Sequence, residues 1–327
     1  MKEKTKSVIR NLRQADYLTV MVTGDSTDTS ISISKSCGII RSNDEIVEYK
    51  ISGTSGTLER VYFKNTSKIE NKANYSQVGV ISGDQFSLFC ERHNINENTF
   101  PIEINDEIKR LARSVRVYSR MNPQQKAIAV RMMQSCLKRD NFTVAFCGDG
   151  ANDTLALAAA DIGVCISKAD GALISPFVSH DQEVTCMESV LLEGKAALTT
   201  NFDYFRFFCT YSIIQTLGMM VLMRSRTEYS SPAYILFDIL LALNLCNCLG
   251  LLNPKENLDR RSPKYTLLYW EYLTGIIAQC TLAMVAILVA KCIVETDSNF
   301  KSGINIAAEG EYVINEFVAT FETTVDL

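Results

Sequence analysis

No extended run of basic residues occurs in the 327-residue sequence, where 33 Lys and Arg face 37 Asp and Glu for a formal net charge of -4. A nucleic-acid-binding chain carries a basic stripe and a high isoelectric point. Here the sequence pI is near 5.4, which excludes nucleic acid as an expected partner. No Cys-x-x-Cys pair occurs either. The 11 cysteines are scattered, and Cys209, Cys246, Cys248 and Cys280 fall in apolar stretches. They read as reduced thiols packing as small hydrophobes rather than as a disulfide framework. Cys246-x-Cys248 has a spacing open to a soft metal, but no third ligand is evident beside it. Finally, the opening MKEKTKSVIRNLRQAD is charged and amphipathic, without the apolar core of a secretory signal. The first membrane entry is therefore expected near residue 204, with everything before it cytosolic.

What is present is unevenly placed. Apolar residues make up 47% of the chain, yet residues 1–190 read as mixed soluble α/β while residues 204–290 hold three long apolar stretches. The length suggests about two domains. A cytosolic domain is expected over 1–190, with a polar excursion of low order at 42–78, then a linker at 191–203. Membrane helices are expected at 204–223, 233–252 and 266–290, each long enough to span. The connection after the second carries Lys255, Arg260, Arg261 and Lys264, whereas the one before it carries Arg224 and Arg226. The richer connection is expected in the cytosol, which agrees with a cytosolic N-terminal half. Residues 291–327, with more acids than bases, then form a luminal or extracellular tail.

Within the first half, strands alternate with helices. YLTVMVTGD reads as a strand buried on both faces and ending in a turn; a helix follows from about Thr27 to Cys37, stopped at Gly38. VRVYSR is a strand, and NPQQKAIAVRMMQSCLKRD is a helix with Asn122 as N-cap, Pro123 in the first turn, and Lys138 and Arg139 in the last. FTVAFCGDG is strand and loop, NDTLALAAA a helix and DIGVCIS a strand. This alternation predicts a parallel sheet. Phosphate-handling loops in such sheets lie at the carboxyl ends of strands, and the polar loops at Thr23, Lys126 and Asp149 all fall at or just beyond such ends.

The richest loop is CGDGANDTLALAAADIG, residues 147–163. Asp149 and Asp153 bracket Gly150, and carboxylates at a tight turn suit Mg2+, which takes one or two protein carboxylates together with phosphate and water. Glycine lets the backbone approach, and the helix that follows points its amides at the same place. The competing reading is an Asx-type turn with Asp153 as a helix cap. Thr23 and the Gly24 amide are placed to hydrogen-bond a phosphate oxygen; the alternative is a plain turn with Asp25 capping. Lys126, in the first turn of its helix, leans back toward the N-terminal end and can neutralise a phosphoryl group. The alternative there is an ordinary surface lysine.

Together, TGD at 23–25, MNPQQK at 121–126 and GDGAND at 148–153, in that order, resemble the phosphorylation domain of P-type ATPases, within the haloacid dehalogenase-like superfamily. TVMVTGD, VYSRMNPQQK, FCGDGAND, AADIGVCIS, SPFVS and YSIIQ look like the type V pumps, in the branch linked to polyamine export from lysosomes or vacuoles. The resemblance covers most of residues 5–290, is weakest over 42–78, and extends to FETTVDL, which looks like the approach to that branch's next membrane helix. It implies a partial α/β, haloacid dehalogenase-like (Rossmann-like) phosphorylation domain followed by an α-helical transmembrane segment, in an endosomal, lysosomal or vacuolar membrane. It also implies ATP and Mg2+ as cofactors, with ATP held mainly by regions outside this chain, and membrane lipid and a cation, polyamine foremost, as partners. By resemblance Asp149 ligates Mg2+ with Asp153. Asn152 and Gly150 order the loop and the phosphate, while Thr23 and Gly24 hold phosphate oxygens, Asp25 belongs to the same catalytic set and Lys126 offsets charge. Tyr211, Gln215 and Asp238, in YSIIQ and LFDILL, line the cation path.

In that family the nucleophile is an aspartate in Asp-Lys-Thr-Gly-Thr, and no such motif occurs in these residues, nor does the actuator's Thr-Gly-Glu. The chain therefore looks like the C-terminal part of a pump, with the missing N-terminal part as a partner. The alternatives are a membrane-anchored remnant without catalysis that binds or regulates, and a phosphatase using another aspartate. The last needs an Asp on the strand beside Thr23, and no Asp-x-Asp motif supplies it.

Overall fold

The computed structural model describes residues 4–51, 58–62, 77–96, 104–137, 142–166, 175–179, 183–224, 229, 231–251, 253–254, 257–260 and 269–296. The chain divides into two compact units. One is Met1–Leu192 with Glu256–Arg261, and the other is Glu193–Lys255 with Ser262–Leu327.

The first unit is α/β. Its larger sheet has the order β1-β5-β4-β2-β3, with β1 (Met21–Val22), β2 (Glu45–Ile51), β3 (Leu58–Tyr62), β4 (Gln77–Ser82) and β5 (Val115–Ser119). All neighbours are parallel except β2 and β3. The smaller sheet is parallel, in the order β6 (Ala145–Gly148), β7 (Ile162–Cys165), β8 (Phe177–Val178). Side chains alternate along the strands, except at a register shift where Gly79 pairs with Val115 and Val80 with Val117, which puts Val115 and Val117 on opposite faces. Ile81, Val115 and Tyr118 pack with Phe86 and Phe89 of α3 (Gly83–Arg92), Leu111 of α4 (Asp106–Ser114) and Met132 of α5 (Pro123–Leu137). Val80 and Val117 pack on the other face with Ile31 of α2 (Thr27–Cys37). The sheet is thus covered by helices on both faces, which is why the middle of β4, residues 78–81, carries no polar side chain. Helix α1 (Thr5–Gln14) buries Val8, Ile9 and Leu12, and α6 (Thr154–Ala159) buries Ala156 and Leu157.

Several expectations hold locally. Helix α2 ends at Gly38, which takes the left-handed conformation (φ 89°) that favours glycine. Helix α5 starts at Pro123 behind Asn122; Lys138 and Arg139 lie outside the described residues. Others do not hold. Residues 45–51 are not a low-order excursion but strand β2, with Ile46, Val47 and Tyr49 buried; the Ser, Thr and Asn around them hid a short alternation. Residues 52–57 and 63–76 of that stretch lie outside the described residues. The strand expected from Tyr17 is paired over Met21 and Val22 alone, and both are half-buried rather than enclosed.

Among its described residues the second unit is helical. No separate linker precedes the first apolar stretch, because α7 is one helix of 40 residues, Thr185–Arg224. The polar residues at 191–203 are simply its less apolar part. The second stretch, Ser231–Gly250, comprises α8 (Ser231–Leu236), a π-helical segment (Phe237–Leu243) and α9 (Asn244–Gly250). The third is α10 (Trp270–Glu295). All three are long and apolar enough to cross a membrane. Their large side chains turn outward, with Met220 63% and Leu282 73% exposed, a pattern that suits lipid and not water. Residues 297–327 of the expected tail lie outside the described residues.

Candidate functional site

Two loops at strand ends converge on the start of α5. The loop after β1 is stitched by backbone hydrogen bonds to the turn after β5. Thr23 N–H donates to the Tyr118 carbonyl, Met121 N–H to the Thr23 carbonyl and Arg120 N–H to the Asp25 carbonyl, each at 2.9 Å. Arg120 takes a left-handed backbone (φ 52°) to make this turn, a strain that a non-glycine residue tolerates only where its surroundings hold it. Thr23 Oγ1 donates to Asp25 Oδ2 at 3.0 Å and accepts from Asp25 N–H at 3.2 Å. Asp25 does not cap α2; Ser26 does, accepting from Thr29 N–H. Gly24 is exposed, and a Cβ there would make only ordinary contact with the Met121 carbonyl at 3.6 Å. Local packing therefore does not demand this glycine.

The α5 N-terminus is a reciprocal capping box. Gln125 N–H donates to Asn122 Oδ1, and Asn122 N–H donates to Gln125 Oε1, both at 2.8 Å. Sequence reading found Asn122 but missed Gln125, although the Asn-x-x-Gln spacing signals it. Gln125 also donates to the Gly83 carbonyl (2.9 Å) and to Ser87 Oγ (2.6 Å), which ties α5 to α3. Gly83 must be a glycine, because a Cβ there would lie on the Arg120 carbonyl. This frame fixes the next residue, Lys126, which is buried to 9% exposure and so is no ordinary surface lysine.

Lys126 Nζ donates to Asp153 Oδ1 at 2.7 Å. The two side chains are 11% and 14% exposed. The pair joins the α5 start to the loop that follows β6. Of the two readings of Asp153, the structure rejects the helix cap: its carboxylate makes no capping bond to α6. Gly148 is required by the same approach, since a Cβ there would come within 2.7 Å of Asp153 Oδ2. From Gly148 the chain passes through extended Gly150 into a 3-10 turn, Ala151–Asp153, closed by Asp153 N–H on the Gly150 carbonyl at 3.0 Å. Asp149 and Asn152 are exposed at the loop's tip. Breaking a desolvated pair from one side strands a charge and costs on the order of 3 kcal/mol, so the link is structural as well as chemical.

No group of three or more His, Cys, Asp or Glu side chains gathers among the described residues, and Cys246 with Cys248 acquires no third ligand there. Mg2+ needs no such cage; one or two carboxylates, with phosphate and water, suffice. With Oδ1 of Asp153 engaged by Lys126, the loop presents the exposed Asp149 and the remaining oxygen of Asp153, a donor set that fits Mg2+.

The helical unit brings a second group together. Tyr211 Oη donates to Asp238 Oδ1, and Gln215 Nε2 donates to Tyr211 Oη at 2.7 Å. Tyr211 and Gln215 share a face of α7, one turn apart. Asp238 lies in the π-helical segment, whose i→i+5 pattern leaves carbonyls displaced. Asn244 Nδ2 recovers two of them, donating to Ile239 at 3.1 Å and Leu240 at 2.9 Å. The π segment was not legible in the sequence.

No family model matches the chain. It is similar to the vacuolar cation-transporting ATPase YPK9 of Saccharomyces cerevisiae, 29% identical over 303 residues, covering 85% of this chain and 19% of that protein. It is 27% identical over 296 residues to the human polyamine-transporting ATPase 13A2, covering 86% of this chain and 24% of the relative. With the human probable cation-transporting ATPase 13A4 it shares 29% identity over 252 residues, 73% of this chain and 20% of the other. The chain is thus a homologue of cation-transporting P-type ATPases. More narrowly, these homologues are of the 13A type, and the chain is consistent with a fragment of a type V P-type ATPase. It spans about a fifth to a quarter of the length of the relatives it matches.

Proposed function

We propose that this chain is the Mg2+-binding half of a haloacid dehalogenase-like phosphorylation domain together with three spans of an ATP-driven cation pump, with polyamine as the favoured cation. The observation that carries the reading is the 2.7 Å Lys126–Asp153 pair, which ties two strand-end loops into one cradle. Strands β1 and β6, whose loops supply Thr23 and Asp149, are each the end strand of their sheet among the described residues. A parallel strand between them, carrying the nucleophilic aspartate from elsewhere in the pump, would complete both the sheet and the site. Bound Mg2+ would neutralise phosphate charge. Asp149 holds the metal, and Lys126 offsets the charge that develops on the phosphoryl oxygens, kept in place by Asp153. Thr23 Oγ1 and the Gly24 N–H position those oxygens, and Asn152 and Gly150 keep the loop open for them. Gly24 and Gly150 both lack a packing reason to be glycine, as expected where a ligand approaches the backbone. This is catalysis by positioning and electrostatics. The cytosolic side of the first unit, the multi-pass path and an endosomal, lysosomal or vacuolar membrane belong to the same reading.

In a complete pump containing this segment, Asp149→Asn should abolish Mg2+-dependent phosphoenzyme formation, a loss of about a hundredfold or more, without removing the protein from the membrane. Labelling at wild-type level would make Asp149 a turn residue only. For transport, a carboxylate within a span normally faces a pathway or a partner, and Asp238, Tyr211 and Gln215 offer an ion pair, a ring face and an amide to an amine cation. Asp238→Asn should remove polyamine-stimulated dephosphorylation and leave phosphorylation by ATP intact. Unchanged stimulation and polyamine affinity would exclude Asp238 as a ligand.

A further inference from the structure

The first unit has a concave surface of about 700 Å³ whose wall carries Lys6, Arg10, Arg13, Arg41 and Arg260 and no carboxylate. In a chain where acids outnumber bases, such a gathering is not a consequence of composition. Lys6, Arg10 and Arg13 sit three and four residues apart on α1, so they share one face and repel one another. Arg13 is fixed from below, donating to the carbonyls of Gly38 and Ile39. Burial, then the charge of Arg41, lowers its pKa from the ordinary arginine value, with Asp44 opposing. Arg260 is held in the wall by Asp16 at 3.1 Å and by the Gln14 carbonyl at 3.1 Å. Lys6, Arg10 and Arg41 remain exposed. The protein thus spends two acceptor sets on holding arginines beside other cations. A second concavity, lined by Arg60, Lys109, Arg110 and Arg113, has Asp106 in its wall, whereas the lining of the first has no acid, its nearest carboxylates Asp16 and Asp44 being engaged by Arg260 and by the Arg41 N–H.

We propose that this surface is a binding site for a compact polyanion bearing two or more phosphate groups. Guanidinium forks match phosphate oxygens two at a time, and the volume is that of a small-ligand site. The same chemistry is offered by a soluble polyphosphate and by a phosphorylated lipid headgroup. Arg260 lies in the connection between the second and third apolar helices.

The test uses the full chain, purified and placed in nanodiscs of neutral phosphatidylcholine, with tripolyphosphate as the probe in a calorimetric titration. The wild type should bind, and Arg10→Gln with Arg41→Gln should weaken binding by about tenfold or more. The charge-matched control Lys109→Gln with Arg110→Gln should change it by less than about twofold. Circular dichroism confirms that both variants are folded; if the first is not, Lys6→Gln with Arg10→Gln replaces it. Discs containing phosphatidylinositol bisphosphate then assign the source. Suppressed tripolyphosphate binding supports a lipid headgroup, and undiminished binding supports a soluble anion. Absence of tripolyphosphate binding in neutral discs, or an equal loss in the control, overturns the proposal.

Discussion

Strands β5 and β1 are neighbours in one parallel sheet and draw on the same kind of residue, yet they are buried to different depths. Val115, Val117 and Tyr118 of β5 have no exposed surface, whereas Met21 and Val22 of β1 are half-buried and Leu18, just before them, is 50% exposed. Strand β6 repeats the pattern in the smaller sheet: Ala145, Phe146 and Cys147 are half-buried, while Val164 and Cys165 of its neighbour β7 are enclosed. An apolar parallel strand is enclosed only when strands flank it on both sides. Among the described residues β1 and β6 are thus open sheet edges, and the loops that carry Thr23 and Asp149 follow those two strands.

The largest contrast is expected in backbone opening. Amide hydrogens of Met21, Val22 and Ala145 should exchange about a hundredfold faster than that of Val117, because edge strands open locally. Supplying the N-terminal part of a pump should close the gap. Equal protection in the isolated chain would remove the comparison altogether. Next in size are side-chain deletions. Ile81→Ala, in enclosed β4, should cost about 2–5 kcal/mol in a denaturant titration, and Met21→Ala, at the edge, less than half of that. Equal costs would mean that β1 is packed as an interior strand. A smaller effect comes from the α5 start. Asn122→Ala should cost about 1 kcal/mol and should loosen Lys126 more than any residue of β5, read as line broadening of the Lys126 side chain. The smallest is a pH effect beside α3. Burial depresses the His93 pKa below its ordinary value, with Glu107 opposing. His93 thus contributes stability that is present above the unfolded imidazole pKa and lost as pH falls through the depressed folded value. Stability should decline on acidification below about pH 6.5, and His93→Gln should flatten that slope.

Local chemistry was the most legible part of the sequence. Gly38, Asn122 and Pro123 each state a backbone requirement within a few residues, and the structure meets each one, as it does for Gly148 of the GDGAND loop. What was not legible depends on residues far apart. Strand β2 is a strand because β4 and β3 flank it, and its polar surroundings conceal the alternation. The length of β1 is set by β5 and not by its own apolar run. The partner of Asp153 lies 27 residues away, so the sequence favoured a ligand role over a cap without revealing Lys126 as its neighbour. The basic concavity draws on residues 6 to 260, which is why the absence of a basic run in the sequence gave no hint of it.

The π-helical segment at Phe237–Leu243 also acts as a phase shifter. An α-helix turns about 100° per residue, and the wider i→i+5 ring turns less. Over this segment the face on which Ser231–Leu236 lies falls out of step with that of Asn244–Gly250. The helix can thereby point Asp238 at Tyr211 while keeping its two flanking segments on faces that a uniform α-helix could not present together. Tightening the segment to α would move each of its backbone N–H groups from the carbonyl five residues back to the one four back, and would rotate one end against the other about the helix axis. The two Asn244 hydrogen bonds to the Ile239 and Leu240 carbonyls are the catch that holds this angle.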